Sequence, residues 1–483
     1  MKTIKYLFMS AMLMGFSTAA NAQDGSKADV EAFKQIVNSK PADMEKQLKA
    51  YYKENKKNEE NLVAFGRVFY DAEDYVNANV YAEYALKANK KYAPAYILQG
   101  DIAAVGEEDG GKAAIAYETA ILYDEKNVDA YRKYANVYRK VDPNGAVEKL
   151  EALRKVDPNY PVDALIGHIN YISLRYGKAI EAFDKAPLQS LSRMDYIEYA
   201  MANYHAKQYA RSLEIAQAGL QKDPLNATLN RIALMNANEV KKYDVAMQYA
   251  DNMFNKIDKD SVKLNDIDYL NYGKALAGSE QYDAAIEKFK AALNMSTEDK
   301  SQHASIYKAM SDAYKSMKDF PNAIENYQQF LKADESADAT EYASLGTLMM
   351  QYARSLEDNV EAQMEAYKKA DQHFADLVAK FPDSEEYALF QRGRINNSLD
   401  PDMSQGLAKP HFERLIELIS AREEADDTDK QRLEGGHRYL MAYYNAKKDY
   451  VNALEHAKKL LELKPEDEGI TKLVDMLTKA AAK

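Results

Sequence analysis

One spacing recurs along the chain: an aromatic residue stands three positions before a small residue, and a small or aromatic residue follows four positions after it, as at Tyr282, Ala285 and Phe289. The small-residue positions of this pattern, weaker instances included, are Ala78, Ala113, Ala146, Ala179, Ser212, Ala246, Ala285, Ala323, Ala370, Ala408 and Ala453. Steps of 33 to 35 residues separate the first six positions, and steps of 38 to 47 residues separate the later ones. A period of this length predicts an array of repeats rather than one compact enzyme core.

Two further markers keep the same register. Prolines stand 12 residues after four of the small-residue positions, at Pro158, Pro224, Pro382 and Pro465. Small residues stand 12 residues before four positions, at Gly66, Gly167, Ala200 and Gly273. Proline ends a helix because it lacks the backbone N–H, and small residues allow two helices to approach closely. Each repeat is therefore predicted to be a helix A, a short turn and a helix B.

These residues resemble the tetratricopeptide repeat (TPR) family, whose unit is a helix–turn–helix of 34 residues. One repeat matches the family at Gly273, Leu276, Ala285, Phe289 and Ala292, and another matches it at Tyr196, Tyr199, Ala200, Tyr209 and Pro224. The chain has no Trp, and Tyr usually replaces the Trp of the family. The resemblance implies an all-α fold, a TPR superhelical solenoid of stacked antiparallel helix pairs.

The register divides the chain into four segments. Residues 1–22 are predicted to be a cleaved signal peptide, and residues 23–60 are predicted to form N-terminal capping helices. Residues 61–466 are predicted to form a TPR array of about eleven units, with insertions after residues 346 and 420. Residues 467–483 are predicted to form a C-terminal capping helix, because solenoids need polar caps over their apolar ends.

The first 22 residues have the features of a secretory signal. Lys2 and Lys5 precede an apolar run over residues 6–16, and Ala20-Asn21-Ala22 fits the small-residue cleavage rule. The apolar run is shorter than the roughly 20 residues that span a bilayer. No later segment is apolar enough for a transmembrane span. We therefore expect an exported protein, and the resemblance to exported TPR proteins of Gram-negative bacteria implies the periplasm.

Composition excludes several classes of function. The formal net charge is -12, so nucleic acid is not an expected partner. The chain has no Cys, which excludes a thiol nucleophile and disulfide bonds. The stretch from Gly106 to Ala113 resembles a phosphate-binding loop but lacks the final hydroxyl residue and is acidic. Residues 400–406 hint at a calcium loop, but the glycine is one place late. We therefore predict no catalytic residue, no metal, no cofactor and no enzymatic activity.

The resemblance implies that the A helices line a concave groove that binds a partner. Transferred to this sequence, the groove positions are Arg132, Asn136, Arg139, His168, Tyr171, Met201 and Tyr204. The alternative is that Tyr171, Met201 and Tyr204 pack between repeats, and that the arginines are solvated. The carboxylate clamp of chaperone-binding TPR domains is not expected, because His168 and Met201 interrupt its pattern.

The predicted function is a non-catalytic scaffold or adaptor of the bacterial cell envelope, which binds an unidentified peptide or protein in the groove. The alternative is an envelope glycan-binding or peptidoglycan-binding TPR protein that uses exposed Tyr side chains as stacking platforms. Self-association stays open. Lys288 lies outside the repeat pattern and is expected on the surface, where its substitution would matter little.

Overall fold

The computed structural model describes residues 24–260, 262–295, 300–422 and 424–482. These residues form an all-α fold of 25 α-helices that pack in adjacent pairs, without a β-strand in the described part of the chain. The chain divides into two compact units between Pro224 and Leu225. The predicted signal peptide, residues 1–22, lies outside the described residues.

Twelve helices belong to the first unit. They are α1 (Asp24–Ser39), α2 (Met44–Asn55), α3 (Glu59–Asp71), α4 (Tyr75–Ala88), α5 (Ala93–Val105), α6 (Gly110–Tyr123), α7 (Val128–Tyr138), α8 (Pro143–Val156), α9 (Val162–Ile172), α10 (Tyr176–Phe183), α11 (Arg193–His205) and α12 (Tyr209–Lys222). A 3₁₀ helix, Leu188–Ser190, lies between α10 and α11. From α3 onward the odd-numbered helices are the A helices of the repeats and the even-numbered helices are the B helices.

Thirteen helices belong to the second unit and continue this alternation. They are α13 (Ala227–Glu239), α14 (Tyr243–Asp251), α15 (Asp266–Gly278), α16 (Tyr282–Met295), α17 (Lys300–Ser316), α18 (Phe320–Ala333), α19 (Ala339–Ser355), α20 (Val360–Lys380), α21 (Glu385–Leu399), α22 (Lys409–Ser420), α23 (Asp427–Ala446), α24 (Tyr450–Leu463) and α25 (Glu468–Ala481). A π-helix, Asn252–Lys256, follows α14 directly, and a 3₁₀ helix, Pro382–Ser384, precedes α21.

Many B helices begin at an Asp that caps the first turn. The side chains of Asp74, Asp109, Asp142, Asp319 and Asp449 each accept a hydrogen bond from the backbone N–H three residues later. A capping carboxylate satisfies one of the N–H groups that a helix start leaves without a partner. These caps fix where helix B begins, and thus the length of the turn after helix A.

The recurring spacing is explained by the contact between helices A and B. All eleven small residues of the pattern are completely buried. In several repeats the aromatic residue four positions later lies flat against a glycine of helix A. A Cβ atom at Gly273 would lie 2.4 Å from the ring of Phe289, and one at Gly167 would lie 2.7 Å from the ring of Phe183. The glycine therefore makes room for the ring that fills the space between the two helices.

The turn between helices A and B has a left-handed residue in most repeats. Its position is five residues before the small residue, and it is occupied by Glu73, Glu108, Leu174, Lys207, Lys241, Glu280, Lys318, Met403 and Lys448, with φ between 54° and 62°. Each L-residue in this conformation costs about 1–2 kcal/mol. No glycine is present at any of these nine positions to avoid this cost. The packing of the two helices must therefore outweigh it.

The longest steps of the repeat pattern coincide with long helices. In the region after residue 346, α19 has 17 residues and α20 has 21, whereas most B helices have 14. After residue 420, α23 has 20 residues. Extra turns of helix therefore lengthen these repeats. The segment boundaries taken from the sequence stay predictions. None of the helices in the described part of the chain combines the length and apolar character needed to cross a membrane.

Candidate functional site

The predicted groove residues of the first unit lie on three A helices, α7, α9 and α11, with Arg139 directly after α7. Arg132 and Asn136 lie on α7, and Arg139 follows the last residue of that helix. The guanidinium of Arg132 contacts a carboxylate oxygen of Asp129 at 2.7 Å, one turn earlier. Arg139 donates to the carbonyl and the side-chain oxygen of Asn136. The polar groups of these residues are thus directed at their own helix segment.

His168 lies on α9 and contacts the next A helix. Its Nδ1 atom lies 2.9 Å from both carboxylate oxygens of Glu198 on α11. Glu198 is buried, with 6% of its surface exposed. A carboxylate only accepts hydrogen bonds, so Nδ1 is the donor of this pair. His168 therefore links two neighbouring repeats.

Tyr171 and Tyr204 lie at the ends of α9 and α11 and are half-buried. The Tyr171 ring lies 6.0 Å from the ring of Tyr176, which opens α10, and the Tyr204 ring lies 5.5 Å from the ring of Tyr209, which opens α12. Burial and the nearby charge of Glu198 raise the pKa of Tyr171. Both tyrosines thus take part in packing helix A against helix B. Their role as binding residues, like that of the half-buried Met201, stays a prediction.

A buried carboxylate joins the first three A helices of the array. Asp101 on α5 is 3% exposed and lies 2.7 and 2.6 Å from the ammonium of Lys133 on α7. Arg67 on α3 also donates to Asp101, and the hydroxyl of Tyr117 on α6 donates to it at 2.7 Å. Burial and the charge of Asp101 raise the pKa of Tyr117, which keeps this hydroxyl protonated as a donor.

None of the residues of this cluster is among the site residues predicted from the sequence, although the sequence carries a signal for it. Arg67 and Asp101 each follow a glycine of helix A, Gly66 and Gly100, one repeat apart. Two residues of opposite charge at the same position of adjacent repeats can form an ion pair between those repeats. The second unit has a similar pair, because Arg231 on α13 binds Asp268 on α15 at 2.6 and 2.7 Å. Much of the charge on the A helices thus serves to join the repeats.

A surface cleft lies on the second unit, on the face of its A helices. It has a volume of about 440 Å³ and runs along α19 between α17 and α21. Its lining residues are Lys315, Ala339, Thr340, Ala343, Ser344, Thr347, Leu348, Gln351, Ser384 and Tyr387. The cleft is therefore lined mainly by small and hydroxyl side chains, together with Leu348, Gln351 and one cationic residue.

The hydroxyl groups on the floor of this cleft already donate their protons to the helix. Ser344 donates to the carbonyl of Thr340 at 2.8 Å, and Thr347 donates to the carbonyl of Ala343 at 3.1 Å. Each hydroxyl oxygen keeps lone pairs that can accept a hydrogen bond. The charge of Lys315 acts on the carboxylate of Asp312, one turn earlier on α17. The cleft thus offers hydrogen-bond acceptors along its floor and one cationic side chain in its lining.

A smaller cleft of about 200 Å³ lies on the first unit between α8, α9 and α10. Two of its carboxylates, Glu151 and Asp163, are bound by Arg154 at distances between 2.6 and 3.3 Å. These bonds raise the pKa of Arg154. Because this pair of acids already has a cation, the cleft offers less to a ligand than the one on α19.

The geometry of the described residues does not favour a metal site or a phosphate-binding loop. No group of three His, Asp or Glu side chains in the described part of the chain could hold a metal ion. Two histidines lie close together, because the Nδ1 atoms of His437 and His456 are 3.0 Å apart. In the segment that resembles a phosphate loop, Asp109 caps α6 and Lys112 binds Glu107 at 2.9 Å. The helix start is thus occupied by a carboxylate.

No protein-family model matches the chain, and no protein of curated function matches it. Among solved structures, the C-terminal part of a TPR repeat-containing protein from Cytophaga hutchinsonii is 24% identical, with a TM-score of 0.46, over 57% of this chain and 98% of that one. A tetratricopeptide repeat protein from Parabacteroides merdae is 19% identical, with a TM-score of 0.34, over 52% and 98%. The Naa15/Naa10 complex bound to HypK-THB is 16% identical, with a TM-score of 0.35, over 88% and 67%.

The repeats of the chain itself define its fold. Eleven completely buried small residues recur at the register of the helix pairs, and an aromatic of helix B repeatedly packs on a small residue of helix A. This arrangement is the helix–turn–helix unit of about 34 residues, lengthened in the later repeats. The fold is therefore an all-α stack of tetratricopeptide-type helix pairs.

Proposed function

We propose that this protein is a non-catalytic scaffold that binds an extended peptide segment of a protein partner in the cleft on α19. The cleft itself is the observation that carries this proposal. Its volume of about 440 Å³ falls within the range of roughly 300–1,000 Å³ that is common for ligand sites. Stacked helix repeats bind partners on extended surfaces rather than at one reactive centre.

The side chains of the cleft favour a peptide backbone as the occupant. Ala339 and Ala343 are small, so a partner chain can approach α19 closely. The oxygens of Ser344 and Thr347 can accept hydrogen bonds from backbone N–H groups, because each hydroxyl donates its own proton to a helix carbonyl and keeps lone pairs. Main-chain hydrogen bonds of this kind give affinity without demanding one particular side chain.

Filling the cleft is expected to weaken peptide binding by about tenfold or more, which corresponds to roughly 1.4 kcal/mol. Ser344 is exposed on the floor of the cleft, so Ser344→Trp occupies the space without entering the core. Peptides selected from a phage-displayed linear library against the wild-type protein serve as probes, and fluorescence anisotropy measures their affinity. Ser420→Trp is the matched control, because Ser420 is exposed at the end of helix α22, outside the cleft.

Equal affinity of the Ser344→Trp variant, the Ser420→Trp variant and the wild-type protein for every selected peptide would contradict binding in this cleft. The double variant Tyr171→Ala, Tyr204→Ala then tests the residues that the resemblance assigns to a groove on the first unit. Loss of binding by that variant with unchanged helix content would move the site to the A helices of the first unit.

We also propose that the protein works in the periplasm, after cleavage of residues 1–22. The proposal rests on the basic start, the short apolar run and the small residues Ala20 and Ala22. Mass spectrometry of the protein released by osmotic shock is expected to find Gln23 as the first residue. A variant with bulky residues at positions 20 and 22 is expected to keep the signal and stay with the membrane. Full-length protein in the cytoplasmic fraction would contradict export.

A further inference from the structure

Three aromatic rings of the second unit surround the ammonium group of Lys288. The Nζ atom lies 4.8 Å from the ring centre of Tyr272, 5.4 Å from that of Phe254 and 6.0 Å from that of Tyr269. Phe254 belongs to the π-helix Asn252–Lys256, the two tyrosines lie on α15, and Lys288 lies on α16. We call the three rings the aromatic cage. Although the sequence places Lys288 on the surface, the structure has it half-buried against these rings.

The Phe254 ring stands at a steep angle to both tyrosine rings and contacts them, so the rings form an angled cluster rather than a flat stack. The centre of the Phe254 ring lies 4.9 Å from each tyrosine ring, at interplanar angles of 88° to Tyr269 and 53° to Tyr272. Tyr269 and Tyr272 are one turn apart on α15 and therefore share a face of that helix. The ammonium of Lys288 lies beside this cluster, within 6.0 Å of all three ring centres, where the electron density of the rings attracts a cation.

The cage is held from behind by the core of its repeat. Tyr269 and Tyr272 pack against a cluster of buried side chains that includes Leu276, Ile286 and Phe289. The π-helix that carries Phe254 is a rare local geometry, and such segments are frequent at functional sites. The rings are thus positioned by the fold, whereas Lys288 reaches them with a long flexible side chain.

The rings are the main partners of the Lys288 charge. Lys288 forms no ion pair with any carboxylate that the structure describes, whereas Lys290, on the same helix, binds Glu287 at 3.4 Å. An ammonium group that is held by rings alone can be replaced by another cation of similar chemistry. An alkylammonium group suits three rings particularly well, because its methyl groups also make apolar contacts.

We propose that Phe254, Tyr269 and Tyr272 form a binding site for an alkylammonium group, and that Lys288 is its built-in occupant. A ligand cation enters when the Lys288 side chain turns outward into water. The site is separate from the cleft on α19, so the proposal does not depend on peptide binding there. The same chemistry is found in free quaternary amines and in methylated lysine side chains, which the experiment distinguishes.

The test uses the full chain with Lys288→Ala and tetramethylammonium chloride as the probe. Aromatic ¹³C–¹H NMR of tyrosine-labelled protein is expected to show saturable shifts of two tyrosines, with an affinity at least about tenfold higher than that of the wild-type protein. Sodium chloride at equal concentration controls for ionic strength. Lys290→Ala is the matched control, because it removes a lysine charge from the same helix without emptying the cage, and it is expected to behave as the wild-type protein.

Two further variants complete the test, one as a substitute for the alanine variant and one that removes a ring. Lys288→Gln retains most of the side-chain length and serves if the alanine variant fails to fold. Phe254→Leu added to the Lys288 variant is expected to abolish the shifts by removing one wall. A folded Lys288 variant that gives no saturable shifts with tetramethylammonium would overturn the proposal, as would binding that survives Phe254→Leu. Tighter binding of a trimethyllysine peptide than of the free amine would assign the site to a protein ligand, and the reverse order would assign it to a free amine.

Discussion

Replacement of Asp101 by alanine is expected to lower the free energy of unfolding of the first unit by about 3 kcal/mol, within the range for breaking a buried ion pair. Asp101 is 3% exposed and accepts hydrogen bonds from three side chains on three helices. Without it, the hydroxyl of Tyr117 stays buried with no carboxylate to accept its proton, and the half-buried ammonium of Lys133 keeps only its longer contact to Asp129, at 3.4 Å. Urea unfolding and hydrogen exchange of α3 to α8 measure the effect.

Glu118→Ala is the control for this substitution. Glu118 lies on α6 and binds Lys149 at 2.7 Å, but its side chain is 58% exposed. Because exposed ion pairs contribute only about 0–1 kcal/mol, this variant is expected to stay close to the wild-type stability. The double variant Asp101→Ala, Lys133→Met should recover part of the lost stability, since it removes the buried charge as well as its partner. Equal losses for Asp101→Ala and Glu118→Ala would show that Asp101 does not join the repeats.

The repeat register was the part of the fold that the sequence could predict. Ala285 and Phe289 stand at the spacing that brings a small residue and a ring to one helix face, and both are buried as that spacing requires. The prediction of stacked helix pairs is confirmed for this reason. Close packing limits which residue types fit at these positions. Because the same restriction recurs along the chain, it is visible as a pattern in the sequence.

The turns could not be predicted in the same way. Leu174 and Lys207 adopt positive φ angles of 59°, where glycine or asparagine is the usual residue. The sequence therefore carries no turn signal at these positions. The packing of the two helices forces the conformation, so it becomes visible only in three dimensions.

The polar contacts between repeats were also beyond the sequence analysis. No motif distinguishes Asp101 from the other acidic residues of the chain, and Lys288 was expected on the surface. Their environments depend on residues about one repeat away or more, such as Lys133 and Phe254. The cleft on α19 has the same origin, because the residues that line it belong to α17, α19, α21 and the 3₁₀ helix Pro382–Ser384. The spacing of residues in the sequence predicts which side chains meet within a repeat. It does not predict which side chains meet between repeats.

Replacement of Asp400 by alanine is expected to destabilise the second unit by about 3 kcal/mol, since several hydrogen bonds to one charged group are lost together. Asp400 is 2% exposed, and its carboxylate accepts from the backbone N–H groups of Gln405, Gly406 and Leu407 at 2.6 to 3.4 Å. The carboxylate thus closes the loop between α21 and α22, where the sequence hinted at calcium. Hydrogen exchange over residues 400–420, with urea unfolding alongside, is the measurement.

The pH dependence of this effect separates the charge of Asp400 from its packing. Burial acts to raise the pKa of Asp400, but the hydrogen bonds from the backbone outweigh it, and the pKa is lowered. A lowered folded-state pKa stabilises the protein above the unfolded value of about 3.9, and this contribution is lost as the pH falls through the folded value. The stability difference between the wild-type protein and Asp400→Asn should therefore be largest near neutral pH and shrink below about pH 4. Asp383→Asn, at an exposed position of the 3₁₀ helix Pro382–Ser384, is the matched control and is expected to change the stability little. A difference for Asp400→Asn that stays constant from neutral to acidic pH would mean that shape, and not charge, holds the loop closed.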